Sequence, residues 1–259
     1  GDPIVDLRTP AVVTQSARQS DMELLASMNR DFADAHPGDQ AFAARLRSYE
    51  LAARMQSSIP EATDLAGEPE SIRRLYGIDD PANKGFARNC LMARRLLERG
   101  VRFVQIINGG AFGSPRINWD GHENLKENHD TQAATMDRPV SALIQDLKQR
   151  GLLEDTLFVW STEFGRSPAT QGIDSPGRDH HPTAFTCFLA GAGVKPGYHH
   201  GSSDEIGYFV GRDKVTIPDF HATILHLLGI DHEKLTFYHN GVKRRLTDVH
   251  GEVIRPILA

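Results

Sequence analysis

Apolar residues recur three and four positions apart over several stretches of this chain, and that spacing predicts where its helices lie. From Ser20 onward Leu25, Met28 and Phe32 keep a helical period until the turn His36-Pro37-Gly38-Asp39, and Phe42, Leu46, Tyr49 and Ala53 make a second stripe. Residues 20–57 therefore read as a helical hairpin behind an aperiodic, extended lead-in at 1–19. Pro, Gly, Asp and Glu crowd residues 58–85, which predicts a long connection with one short helix at 69–76. Phe86, Cys90, Ala93 and Leu97 define a third helix, with Gly100 as its stop.

At Val101 the period changes. The apolar run 101–107 reads as a strand, followed by a glycine-rich loop at 108–113. A helix at 125–150 turns Val140, Leu143, Ile144 and Leu147 inward, and Pro139 either kinks it or opens its second half behind an Asp137 cap. Runs at 156–162 and 184–190 read as two further strands. Thr216 and Asp219 form a capping box for a helix that runs to Leu228, and Asn240-Gly241 marks the tip of a terminal hairpin within 235–250. Strand, crossover helix, strand is a βαβ unit, so the expected class is α/β, with a mixed, mostly parallel sheet flanked by helices. The expected organisation is a single domain over 1–259, with a helical N-terminal portion and connection at 1–85 and an α/β core at 86–259.

Composition narrows the function classes. The chain has 259 residues and a net charge of −5, with no clustered Lys and Arg, which argues against a nucleic-acid binder. It is 39% hydrophobic and 24% charged, as folded globular chains are, and no apolar run approaches the ~18 residues of a membrane span. Cys90 and Cys187 lie in apolar segments and read as thiols rather than a disulfide framework. Gly1 without an initiator Met reads either as a processed product or as a cloning remnant, and no signal peptide is visible. Of 12 histidines only His36 precedes residue 122, so imidazole chemistry is expected in the C-terminal half.

Ligands of open α/β sheets bind beyond the carboxyl ends of the strands. That rule selects Trp119-Asp120-Gly121-His122-Glu123-Asn124 and Thr162-Glu163-Phe164-Gly165-Arg166, and Gly177-Arg178-Asp179-His180-His181-Pro182 lies just before the third strand. Carboxylates, imidazoles and guanidinium groups together are the ingredients of a metal site that handles an anion. Each cluster alone has a plain alternative, since an Asp-x-His pair often makes only a loop hydrogen bond and two adjacent histidines do not easily ligate one ion. Their coincidence on one rim carries the site reading. It requires the third strand to run antiparallel, or the loop before it to cross the rim. His221 stands in the first turn of a helix whose amino end can face an anion.

The same residues carry a resemblance. Trp119-Asp120-Gly121-His122, the stretch 146–157, Glu163-Phe164-Gly165-Arg166-Ser167-Pro168, Gly177-Arg178-Asp179-His180-His181-Pro182, the stretch 190–197, residues 219–225 and Arg245-Leu246-Thr247-Asp248-Val249 look like successive motifs of one bacterial family. It is the sulfatase-like domain of unknown function 1501, abundant in planctomycetes and usually exported, and the match runs in order from about residue 70 to the end. The resemblance implies kinship with the alkaline phosphatase and sulfatase superfamily, a mixed α/β sandwich with paired metal ions. On that analogy Glu163 takes the role of a ligand carboxylate, while Phe164 stands where a ligand histidine would be. His180 is similar in placement to a later ligand histidine, and Asp120 and His122 resemble an earlier Asp and His at a shorter spacing. The superfamily's first strand, with another aspartate and a Ser, Thr or Cys nucleophile, has no counterpart here, so an alkaline phosphatase-like domain missing its first strand is expected.

The function expected from these residues is metal-dependent hydrolysis of phosphate or sulfate esters. Asp120, His122, Glu163 and His180 are the expected ligands of a divalent ion (zinc, manganese, calcium or iron), and ligation through neutral imidazoles predicts binding that weakens at acid pH. Arg166 and Asp179 are the expected catalytic positions, Arg166 holding the ester and Asp179 orienting a ligand histidine from behind. Arg166, Arg178 and His221 are expected to contact substrate. The alternative is a non-catalytic exported module that binds a sulfated or phosphorylated glycan at the cell surface or in the periplasm. Either way the partner is an anionic small molecule or glycan ester.

Overall fold

Thr14 sets the first helix. Its hydroxyl accepts the Ala17 amide at 3.2 Å from an extended backbone, so α1 (Gln15–Ala35) starts five residues earlier than the apolar period alone predicts. After the turn, Asp39 accepts the Phe42 amide at 2.9 Å and opens α2 (Gln40–Thr63). Phe32 stacks on His36 at 4.1 Å and meets Phe42 at 4.6 Å, which closes the corner of the predicted hairpin. The structure is a computed structural model that describes residues 12–83, 85–109, 117–170, 172 and 176–259, and all side chains among them except those of 51 and 54–60. The chain falls into two compact units, Gly1–Glu68 and Pro69–Ala259. Residues 1–11 of the expected lead-in and 110–116, which include most of the glycine-rich loop, lie outside the described residues.

The second unit is built on three helices where the sequence predicts them: α3 (Glu70–Tyr76), α4 (Phe86–Glu98) and α5 (Leu125–Gln149). Tyr76, Ala87, Cys90, Leu91, Ala93, Ala142, Leu143 and Leu147 are all buried and form the core. A buried ionic network runs through it. Asp146 accepts the Tyr76 hydroxyl at 3.0 Å and Arg150 Nε at 2.7 Å, and its carboxylate pairs ionically with Arg94, whose Nε lies 3.0 Å away. Glu98 takes a second nitrogen from each arginine, at 2.7 Å from Arg94 and 2.6 Å from Arg150. Burial in this core pushes the Cys90 thiol up to about 12, which leaves it an inert apolar group; Cys90 and Cys187 are both free thiols. Helix α5 passes through the buried Pro139 without interruption, so Asp137 caps no second helix.

The expected sheet is not formed. Strand β1 (Phe158–Trp160) pairs antiparallel with β4 (Phe188–Ala190), and β2 (Gly165–Arg166) pairs antiparallel with β3 (His180–His181). The ladders β5 (Ser202–Ser203) with β6 (Val210–Arg212) and β7 (Thr236–His239) with β8 (Val242–Arg245) are also antiparallel and two-stranded. Among the described residues no parallel pair occurs, which overturns the mixed, mostly parallel, alkaline phosphatase-like sheet. The run 101–107 joins no ladder, and its Phe103 and Ile107 are 78% and 76% exposed. An apolar run specifies an extended segment that seeks cover, but not which neighbour takes its backbone groups, and β4 occupies that place beside β1. Val140 and Ile144 of α5, expected to face inward, instead line an open apolar groove of about 490 Å³ with Trp119 and Trp160.

Local signals held at the C-terminal end. Helix α6 (Ile217–Leu227) opens on the complete Thr216–Asp219 capping box, and the β7–β8 hairpin turns on Asn240 and Gly241, both with positive φ. The antiparallel direction that the site reading required for the third strand is the direction found in β4.

Candidate metal centre

Helix α5 holds the loop that precedes it. Asn128 donates to the Glu123 carbonyl at 2.7 Å, Gln132 donates to the Ile117 carbonyl at 3.0 Å, and His129 Nε2 lies 3.1 Å from the Trp119 carbonyl. Trp119 in turn donates to Asn108 at 2.6 Å. These contacts fix Asp120 and His122 over the first turns of α5. Asn128 and Gln132 are buried polar residues four apart on one helix face, a pattern visible in the sequence but not separable there from surface polarity.

The β2–β3 ladder supplies the rest. Its register sets Arg166 opposite His180 and Gly165 opposite His181. Successive strand residues point to opposite faces. His180 accordingly turns toward Asp120, while His181 is buried on the other side with its ring 5.2 Å from Tyr208. The Arg178 amide donates to the Gly121 carbonyl at 3.0 Å, tying the segment before β3 to the Asp120–His122 loop.

Among the described residues one group of three side chains converges as metal ligands do: Asp120, His122 and His180. Asp120 Oδ1 lies 2.9 Å from His122 Nε2 and 3.0 Å from His180 Nε2, and the two nitrogens are 3.0 Å apart. Metal bonds of about 2.0–2.1 Å at tetrahedral angles hold ligand atoms roughly 3.3 Å apart, so this triangle has nearly the size a shared ion imposes. The donor chemistry fits as well, because neutral imidazoles and a carboxylate can all turn lone pairs to one point. The side chains of Asp120 and His180 are 57% and 45% exposed, which leaves one side of the triangle open to solvent.

Arg166 completes the arrangement. Its side chain is 15% exposed; one guanidinium nitrogen donates to the same Asp120 Oδ1, and the other donates to the Arg178 carbonyl at 3.2 Å and lies 3.4 Å from His122 Nε2. Burial alone would raise the Asp120 carboxyl. The hydrogen bonds from Arg166 and His180 and the charges of Arg166 and His122 outweigh it and hold the group down at about 2, so it stays an anion. Phe164 walls the site, its ring 4.2 Å from that of His180 and 5.9 Å from the Arg166 guanidinium carbon. Its place beside the His180 ring was not readable from an aromatic at position 164.

The remaining candidates stand apart from the triangle. Glu163 is exposed and accepts the Thr162 hydroxyl at 2.9 Å. Asp179 accepts the His180 backbone amide at 2.7 Å, so it acts on the main chain of that residue rather than on its ring. Arg178 donates to the Gly177 carbonyl at 2.9 Å, and His221 is exposed in the first turn of α6. Among the described residues no helix is long and apolar enough to cross a membrane.

No curated protein and no solved structure matches this chain. The model of the family described as "Protein of unknown function (DUF1501)" matches residues 1–258, and the chain belongs to that family.

Proposed function

We propose that this chain is a hydrolase of phosphate or sulfate esters that works through a divalent ion held by Asp120, His122 and His180. The observation that carries the reading is the convergence of two imidazole nitrogens, a carboxylate oxygen and a guanidinium within hydrogen-bond distance, on a side open to solvent. A bound dication would serve there as a Lewis acid, polarising an ester oxygen and stabilising developing negative charge. Arg166, anchored on Asp120 and the Arg178 carbonyl, is the group that binds an ester oxyanion, because a fixed, planar guanidinium matches such oxygens. Phe164 holds the His180 ring by contact. Three protein ligands with an open side are the pattern of catalytic rather than structural metal sites. Two imidazoles and one carboxylate suit zinc, manganese or iron better than calcium, which prefers oxygen. The family resemblance adds that the ester is borne by a small molecule or glycan outside the cytoplasm.

The same donor set, two His and one carboxylate, is also that of non-haem iron oxygenases, which gives a second reading its basis. Metal content separates them. The purified full chain, dialysed and analysed by plasma mass spectrometry, should carry about one ion, lost in His180→Ala. Zinc or manganese with metal-dependent cleavage of an aryl phosphate or aryl sulfate supports the hydrolase; iron without esterase activity supports the oxygenase. A metal-free protein that takes up no added ion removes both.

A further inference from the structure

Arg166 is a fixed positive charge inside a ligand set. Three contacts hold it there: its donation to Asp120 Oδ1, its donation to the Arg178 carbonyl at 3.2 Å, and its approach to His122 Nε2 at 3.4 Å. Asp120 Oδ1 is therefore claimed by His122, His180 and Arg166 together, although a carboxylate oxygen has only two lone-pair directions. Among the four groups that converge, the charges are the Asp120 carboxylate and the Arg166 guanidinium, which cancel when both imidazoles are neutral. Glu163, the nearest acid in sequence to Arg166 within the second cluster, is exposed and turned onto Thr162. A dication in the triangle would leave an excess of two positive charges beside a mostly buried guanidinium. Water screens that excess poorly at a buried group, and an anion bridging the open side would balance it.

We propose that this centre takes its divalent ion together with a tetrahedral oxyanion, and that Arg166 couples the two binding events. The inference rests on the metal-centre reading and adds a regulation to it. Without the anion, Arg166 opposes the ion by repulsion and by occupying Asp120. With the anion, the guanidinium has a partner other than Asp120, and both obstacles are relieved. Linkage then requires the reverse effect of equal size: the ion raises oxyanion affinity by the same factor. In an anion-poor solution the ion is therefore held more weakly, and substrate or product oxyanion tightens it.

The test is zinc affinity of the full chain, measured by chelator competition in sodium chloride and in sodium sulfate of equal ionic strength. Zinc should bind more tightly in sulfate, on the order of tenfold within the usual 5–150-fold range of coupling. In Arg166→Gln zinc should bind at least as tightly in chloride as it does to the unaltered chain, with the sulfate effect reduced to within about twofold. Arg166→Lys, which keeps the charge without the planar fork, should keep most of the effect, and thermal unfolding of both variants shows whether they fold. Equal zinc affinity in chloride and sulfate, or a full sulfate effect in folded Arg166→Gln, overturns the coupling and leaves the metal centre standing. Failure of zinc to bind the unaltered chain and Arg166→Gln in either salt removes the centre and the coupling with it.

Discussion

Replacing Gly177 with alanine puts a methyl group where the backbone of His122 already runs. A Cβ at position 177 falls 1.8 Å from the His122 carbonyl oxygen, 2.0 Å from its carbon and 2.7 Å from the Glu123 nitrogen. Ordinary contact begins near 3.4 Å, so the two backbones must part by roughly 1.5 Å. No side-chain rotamer relieves a clash of Cβ with main chain. Gly177 is not among the glycines with positive φ, so the effect is one of space and not of backbone strain. Parting the strands of this contact breaks the bond from the Arg178 amide to the Gly121 carbonyl and carries His180 away from Asp120 and His122. Overpacking costs about 1–3 kcal/mol and the lost hydrogen bond about 1 kcal/mol, so a destabilisation of about 2–4 kcal/mol is expected. For a chain of this size that lowers the thermal midpoint by about 4–16 °C. Zinc affinity should fall about 10–100-fold, as it does when groups that position metal ligands are displaced. Calorimetry and chelator competition measure the two quantities. Gly172→Ala, whose Cβ meets nothing within 4 Å, is the matched control. A Gly177→Ala protein with zinc affinity within twofold and a midpoint within about 1 °C of the unaltered chain would refute the reasoning.

Other outcomes follow from the same geometry. Asp120→Asn should abolish tight metal binding and Glu163→Ala should leave it unchanged, because Glu163 lies outside the triangle; dialysis with metal analysis checks both, and loss of metal in Glu163→Ala sinks the three-ligand assignment. Asp146→Ala should cost about 3–5 kcal/mol in urea unfolding, since it leaves Arg94, with a side chain only 3% exposed, short of a buried counter-charge; a cost below about 1 kcal/mol would mean that Glu98 alone satisfies it. At Asp219 burial alone would raise the carboxyl, but hydrogen bonds from the Thr216 hydroxyl and from the Glu252 and Thr216 amides hold it below its ordinary 3.8. Its stabilisation is therefore complete above that value and is lost as pH falls through the lower folded one. Thermal midpoints should accordingly decline more steeply in acid for the unaltered chain than for Asp219→Asn, and parallel profiles would contradict this.

Much of the candidate site was legible as residue types in three short clusters. Asp120, His122, Arg166 and His180 were singled out by their chemistry, and the structure brings these four together. It does not bring Glu163, Asp179, Arg178 or His221 into that group by their side chains. Glu163 follows β1 closely, but its neighbour Phe164 takes the inward position beside His180. One residue of register decides which of two adjacent side chains faces a site, and no local signal fixes that.

Helices and tight turns came from the chain's own local pattern. Thr216 with Asp219, Asn240 with Gly241, and the apolar stripe of α4 act over three or four residues, so they read the same before and after folding. Pairing is different. Residues 158–160 find residues 188–190, and 165–166 find 180–181, through contacts between segments far apart in sequence whose apolar character is compatible with several partners. The parallel sheet inferred from strand, helix and strand failed for that reason, and the convergence of Asp120, His122 and His180 depends on the same long-range choices. Gly177 shows the difference in one residue: in sequence it is a glycine in a turn-rich stretch, and only the approach of the His122 carbonyl gives it a structural reason to lack a side chain.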